Sequence, residues 1–144
     1  MQSQDIYNNI TRTAAIALVS GRTSVADSSA IDLQGYEGVG ELELLAELAS
    51  AGTSPTLDVK LQNCDTSGGS YEDITTAQGG PIAFSTVTDA ANGGLQVVGL
   101  NFSALKRFVK VIPALGGTNT PTFTFGVNLR GRKKVFGTPA AQSL

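Results

Sequence analysis

The chain is 144 residues long with a formal net charge of −2, the size of one domain. A single cysteine, Cys64, excludes an intrachain disulfide, and the lack of any histidine removes Ser-His-Asp and Cys-His catalysis, histidine metal sites and imidazole pH switching together. Charged residues are 15% of the chain, well under the ~25% of ordinary soluble domains, so the surface is either coated with Gly, Ala, Ser and Thr or covered by other subunits.

Residues 1–13 are polar and lack periodicity, which predicts an extended N-terminal arm. Asp5 precedes any base, the wrong order for a secretory leader, and no stretch approaches the ~20 apolar residues of a membrane span. The expectation is a protein made in a cytoplasm. The domain proper is predicted over 14–136, with 137–144 as a C-terminal tail. From Ala14 onward, short apolar segments alternate with turn residues, at 14–19, 30–34, 56–62, 71–75, 82–87, 95–100, 105–112 and 122–130. Two of these alternate cleanly. Leu57, Val59 and Leu61 share one face of the first, and Phe123, Phe125, Val127 and Leu129 share one face of the second. Pro113 is expected to end the 105–112 strand or mark an edge.

The segment Glu41–Ala49 has the composition of a helix, but Leu42 and Leu44 alternate with Glu41 and Glu43 and glycines bracket the run. It is read as a strand that twists or breaks near Leu45, where the alternation changes phase. The pairs Gly68-Gly69, Gly79-Gly80, Gly93-Gly94 and Gly116-Gly117 are expected in turns between strands. Seven to nine strands with regular turn signals predict an all-β fold, an antiparallel β-sandwich or barrel.

No catalytic constellation stands out. Glu72 and Asp73 are adjacent and so point to opposite faces of a strand, a poor acid/base pair. Glu41 and Glu43 share a face, but without the close oxygen ligands of a calcium loop they read as a solvated or subunit-facing edge. Cys64 has no neighbouring base to activate it and reads as an inert, buried thiol. The expectations are no enzyme activity, no metal and no cofactor.

The charge is divided along the chain. Residues 1–90 hold all 12 acids and three bases, whereas 91–144 hold seven bases and no acid. Either early and late strands lie side by side in one sheet and pair their charges, or the two signs meet across subunits. The RGRKK cluster is short and has only Phe136 nearby to stack, so neither nucleic acid nor a membrane is an expected partner.

The order of Ile31-Asp-Leu-Gln-Gly-Tyr36, Leu57-Asp-Val-Lys-Leu-Gln62, Asp65-Thr-Ser-Gly-Gly69, Leu105-Lys-Arg-Phe-Val-Lys-Val111 and Pro121-Thr-Phe-Thr-Phe-Gly-Val-Asn-Leu129 resembles the small capsid cement, or decoration, proteins of tailed bacteriophages, over residues 14–134. The resemblance implies a single jelly roll that assembles as a homotrimer on the outer surface of the virion and stabilises contacts between major capsid protein subunits. Under that reading the arm and Arg107, Lys110, Arg130 and Arg132, with Glu41 and Glu43, are the expected interface residues. The alternative is a tail-associated or carbohydrate-binding jelly-roll module for host attachment, against which the lack of tryptophan counts.

Overall fold

The computed structural model describes residues 10–133. It contains seven strands: β1 (Ile10–Arg22), β2 (Ile31–Asp32), β3 (Tyr36–Ala46), β4 (Ala51–Cys64), β5 (Glu72–Asp73), β6 (Gly94–Asn101) and β7 (Phe108–Lys133). Every pairing is antiparallel. The organising element is β7, a strand of 26 residues. Its first half pairs with β4 and its second half with β3, so the 36–64 segment and β7 form one long two-stranded ribbon.

The ribbon bends in the middle. On β7 the bend falls at Gly117 (φ 109°), Asn119 (φ 57°) and Thr120 (φ 56°), opposite Gly52 (φ 109°) and Ser54 (φ 49°) on β4. Left-handed backbone concentrated on both strands turns the ribbon from one sheet into the other. Gly117 has no substitute there, because a Cβ would lie 2.8 Å from the Ser54 carbonyl oxygen and 2.9 Å from that of Thr53. The pair Gly116-Gly117 is thus a bend inside a strand, not the turn between strands expected of it.

The bend produces two sheets. Sheet A runs β1, second half of β7, β3, β6; sheet B runs β2, first half of β7, β4, β5. The 82–87 segment continues the β5 side of β4 through bridges at Leu57–Val87 and Lys60–Ala83. With the halves of β7 counted as the seventh and eighth strands, the orders are 1-8-3-6 and 2-7-4-5, a folded antiparallel ribbon and hence a jelly roll. The all-β sandwich predicted from strand spacing is the fold observed.

The core lies between the sheets and is built by strict alternation. Leu42, Leu44 and Ala46 from β3, Leu57, Val59 and Leu61 from β4, and Phe123, Phe125, Val127 and Leu129 from β7 are all buried. Burying side chains of this size contributes about 1.5–3 kcal/mol each. Within the 41–49 segment, 41–46 are strand, as the alternation predicts, and the strand ends after Ala46 with Leu45 turned outward.

Among the boundaries that differ from the sequence reading, three have an identifiable local cause. Ile10–Thr13 belong to β1 and pair with 129–132; residues 1–9, the rest of the predicted arm, and the tail at 137–144 lie outside the described residues. The late strand starts at Phe108, not Leu105, because Phe102–Ala104 form a 3-10 turn. Pro113 does not end it. Leu57, paired opposite Leu115, exchanges its backbone bonds with Val87, so the odd-numbered amides of β4 face away from β7. By the same alternation, Pro113 opposite Val59 presents its ring nitrogen to the side of β7 away from β4. The last backbone bond there is at Val111, with Ser28 (3.0 Å), so no ladder bond is lost.

Candidate interaction surface

Strand alternation places two very different faces on the outside of the sandwich. The outer face of sheet B is polar. Lys60 Nζ lies 2.8 Å from Asp73 Oδ1, Gln62 Nε2 donates to the same oxygen (2.8 Å), and Thr86 hydrogen-bonds Asp58. The two acids of β5 point apart as predicted: Asp73 pairs with Lys60, while Glu72 faces Lys106 at 3.6 Å. The hydrogen bond from Lys60, reinforced by that from Gln62, holds the Asp73 carboxyl below its ordinary range.

Sheet A combines an ion-pair row with an apolar half. Register sets Arg12 on β1 directly across from Arg130 on β7, which is across from Glu41 on β3. Two arginines side by side would repel. Glu43, nearly buried, relieves this by lying 3.4 Å from Arg12 Nη2 and 3.5 Å from Arg130 Nε, while Arg130 also bonds Glu41. Farther along, Arg132 Nε lies 3.4 Å from Glu37 Oε1. The arginines of these pairs are about half exposed, and the solvent-open Arg132–Glu37 pair contributes about 0–1 kcal/mol; the consequence of the row is to fix which charges remain available outside.

Four of the residues predicted from sequence, Glu41, Glu43, Arg130 and Arg132, therefore come together on the outer face of sheet A, and their partners are one another, Arg12 or Glu37. Arg107 and Lys110 lie apart from them. Arg107 forms a two-pronged pair with Asp32 (Nε–Oδ1 3.0 Å, Nη2–Oδ2 2.9 Å) and lies over the Phe108 ring. That pair lowers the Asp32 pKa, the Arg107 hydrogen bond being its largest cause, and raises that of Arg107. Arg107 precedes the strand and is half exposed. Lys110 Nζ stands 4.7 Å from the centre of the Tyr71 ring. Acidic early strands and basic late strands thus pair within one chain.

What sequence reasoning missed is the apolar half of sheet A. Among the described residues, all the large hydrophobics that remain exposed (Ile10, Leu18, Val19, Val39, Leu45, Leu48, Leu95 and Val97) lie on β1, β3, β6 or the loop leaving β3, and none on sheet B. Leu45 and Leu95 are directly opposed across β3 and β6, and Val97 is opposite Glu43. Next to them Leu48, Ala91 and Gly93 line an open depression. The phase change noted at Leu45 was the available signal.

Cys64 is buried, as predicted, with Sγ 3.9 Å from Thr66 Oγ1. Its neighbour Asn63 continues the inward series of β4 and is 1% exposed, yet neither its amide nitrogen nor its oxygen has a partner among the described residues. Also among the described residues, no three acidic or cysteine side chains group so as to hold a metal ion, and no helix is long and apolar enough to cross a membrane.

No family model and no curated protein matches the chain. Among solved structures it is similar to one of turnip yellow mosaic virus, with a TM-score of 0.39 and 9% identity over 91% of this chain and 83% of the other. It is also similar to one of Desmodium yellow mottle tymovirus, with a TM-score of 0.37 and 12% identity over 90% and 88% respectively. Neither is a bacteriophage protein, and both likenesses are too distant to bear on function.

Proposed function

We propose that this protein is a non-enzymatic structural component of a virion, a cement protein that binds the outside of a phage head and stabilises contacts between major capsid protein subunits. The observation that carries the reading is the one-sided outer surface. Sheet B is closed by internal polar contacts, whereas sheet A exposes apolar side chains around a neutralised ion-pair row. Exposed apolar area gathered on one face marks a protein contact more than a solvent boundary. The sequence resemblance to decoration proteins agrees with this, as does a jelly roll whose low charge limits repulsion between closely packed copies.

The test is binding to purified heads stripped of the protein, with copy number read by quantitative mass spectrometry. Saturation at a number comparable with the major capsid protein, and a higher temperature of genome release, are the expected results. Leu18→Asp, on β1 and far from β6, should weaken head binding at least tenfold, whereas Lys60→Gln on sheet B should not. A few tens of copies per particle would move the protein to the tail or neck, and no association with particles would overturn the proposal.

A further inference from the structure

The free edge of sheet A is β6, and it differs from the other strand edges of the sandwich. Sheet B ends on one side in β2, two residues long, and on the other in the acidic pair of β5 and the bridged 82–87 segment. The opposite edge of sheet A, β1, is long, but its register shifts three times and it carries Arg12 and Arg22. Short strands, bulges and charges are the usual devices that keep an edge from pairing with another chain. β6 has none of them. It is eight residues long, follows β3 without a register shift, and holds no proline and no charge. The uncharged run extends from residue 90 to residue 105.

Its open hydrogen-bonding groups can be assigned. The Glu47 N–H donates to the Thr124 carbonyl (2.9 Å), which continues the β3–β7 ladder beyond Ala46. Because amides alternate sides along a strand, odd-numbered residues of β3 bond to β7, and Leu42 and Leu44 bond to Val98 and Gln96. The amides of Leu95, Val97 and Gly99 then point away from the sheet, and none of them takes part in a further backbone hydrogen bond among the described residues. Their side chains lie on the outer face, Leu95 62% and Val97 49% exposed. The strand is also held in place beforehand: Gln96 accepts from the Ser85 N–H (2.9 Å) and donates to the Ser85 carbonyl (3.0 Å), which ties β6 to the opposite layer.

We infer that β6 pairs antiparallel with β6 of a second copy of this chain, about a two-fold axis at or beside Val97, joining two A sheets into one continuous sheet. An antiparallel strand meets its own copy across a dyad with every donor facing an acceptor. The like-charge repulsion that prevents most edges from pairing with themselves is absent from 90–105, which also lacks any charge that would select a charged partner. Odd residues pair with odd residues, so Leu45, Leu95 and Val97 of both copies form one apolar strip across the axis.

The experiment uses the isolated full chain, so its outcome is separate from that of head binding. Native mass spectrometry and sedimentation at micromolar concentration should show dimer. Val97→Lys, which places its ammonium across from Glu43, should raise the dissociation constant at least tenfold without changing the circular dichroism spectrum. With Cys64→Ala as background, Val97→Cys should give a covalent dimer with a short bis-maleimide, and Asp58→Cys on sheet B should not. Monomer throughout the range, assembly indifferent to Val97→Lys, or a homotrimer without the 97–97 cross-link would each overturn the inference. A monomer whose Val97→Lys variant no longer binds heads would overturn it in favour of a capsid strand on this edge.

Discussion

Gly40 and Gly131 face each other across β3 and β7, both on the inner side, beneath the ring of Phe102. A Cβ added at Gly131 would lie 2.6 Å from both Cε2 and Cζ of Phe102 and 2.9 Å from Cδ1 of Tyr36. Carbon atoms prefer separations of about 3.5–4.0 Å, so the buried Phe102 ring must move by roughly 1 Å. Overpacking of that kind costs about 1–3 kcal/mol. Replacing a strand glycine by alanine regains about 0.5–1 kcal/mol from the unfolded chain. The difference of the two ranges centres near a loss of about 1 kcal/mol for Gly131→Ala, a fall in melting temperature of roughly 3–4 °C for a domain of this size. The three nearest obstructing atoms all belong to side chains, and the two closest to Phe102, so Phe102→Leu should relieve most of the overlap and leave only the Tyr36 contact; in that background Gly131→Ala should lose clearly less than it does with Phe at 102. Gly40→Ala differs, because its Cβ would also strike the backbone carbonyl of Arg130, and the same background should not rescue it. Urea unfolding of the four members of each cycle, followed by circular dichroism, gives the coupling energies. If Gly131→Ala loses as much with Leu at 102 as with Phe, the packing argument is wrong.

Two further outcomes follow from polar groups. Asn63→Leu removes a buried amide without a partner among the described residues and should stabilise the fold by about 1 kcal/mol, seen as a melting point about 3 °C higher; a drop of that size would show that the amide is bonded in the native protein. Asp32 and Asp73 both have lowered pKa values in the folded chain. Their contribution to stability is thus present above the unfolded value near ~3.9 and is lost as pH falls through the lowered folded values. A double Asp32→Asn, Asp73→Asn variant should show a shallower loss of melting temperature than wild type between about pH 4 and pH 2, and parallel curves would dismiss both pairs as contributors.

How much of this was legible depended on whether the cause was local. Phe123, Phe125, Val127 and Leu129 announce a strand with one dry side because period-two alternation is a property of neighbouring residues, and all four are fully buried. Leu57, Val59 and Leu61 are legible for the same reason. Pro113 and Gly116-Gly117 were misread because their meaning depends on the partner. A proline is tolerated where its nitrogen faces an unpaired side of the strand, and a double glycine bends a strand where both ribbon strands must turn together. Asn63 looked like any polar residue before a loop; only the register of β4 turns it inward. The division of acids and bases was legible as a pairing of early with late strands, but which arginine meets which carboxylate depends on a register that composition does not contain.

That register changes where recognition can reside. An arginine on the outside of a sheet is a natural candidate for partner contact, and Arg130 and Arg132 fit that description by sequence alone. In the fold, Arg130 lies between Glu41 and Glu43, and Glu43 also separates it from Arg12. Reversing its charge would place three carboxylates together on adjacent strands, so weakened assembly in such a variant would follow from damage to the sheet as readily as from a lost contact. The apolar side chains along β3 and β6 have no such internal duty. Leu95 and Val97 stand on a strand without charge at an edge without protection, and their exposure costs solvation without stabilising the monomer. The charges specify how the chain folds against itself, whereas Leu95 and Val97, on the uncharged β6, stay open on the outer face of sheet A.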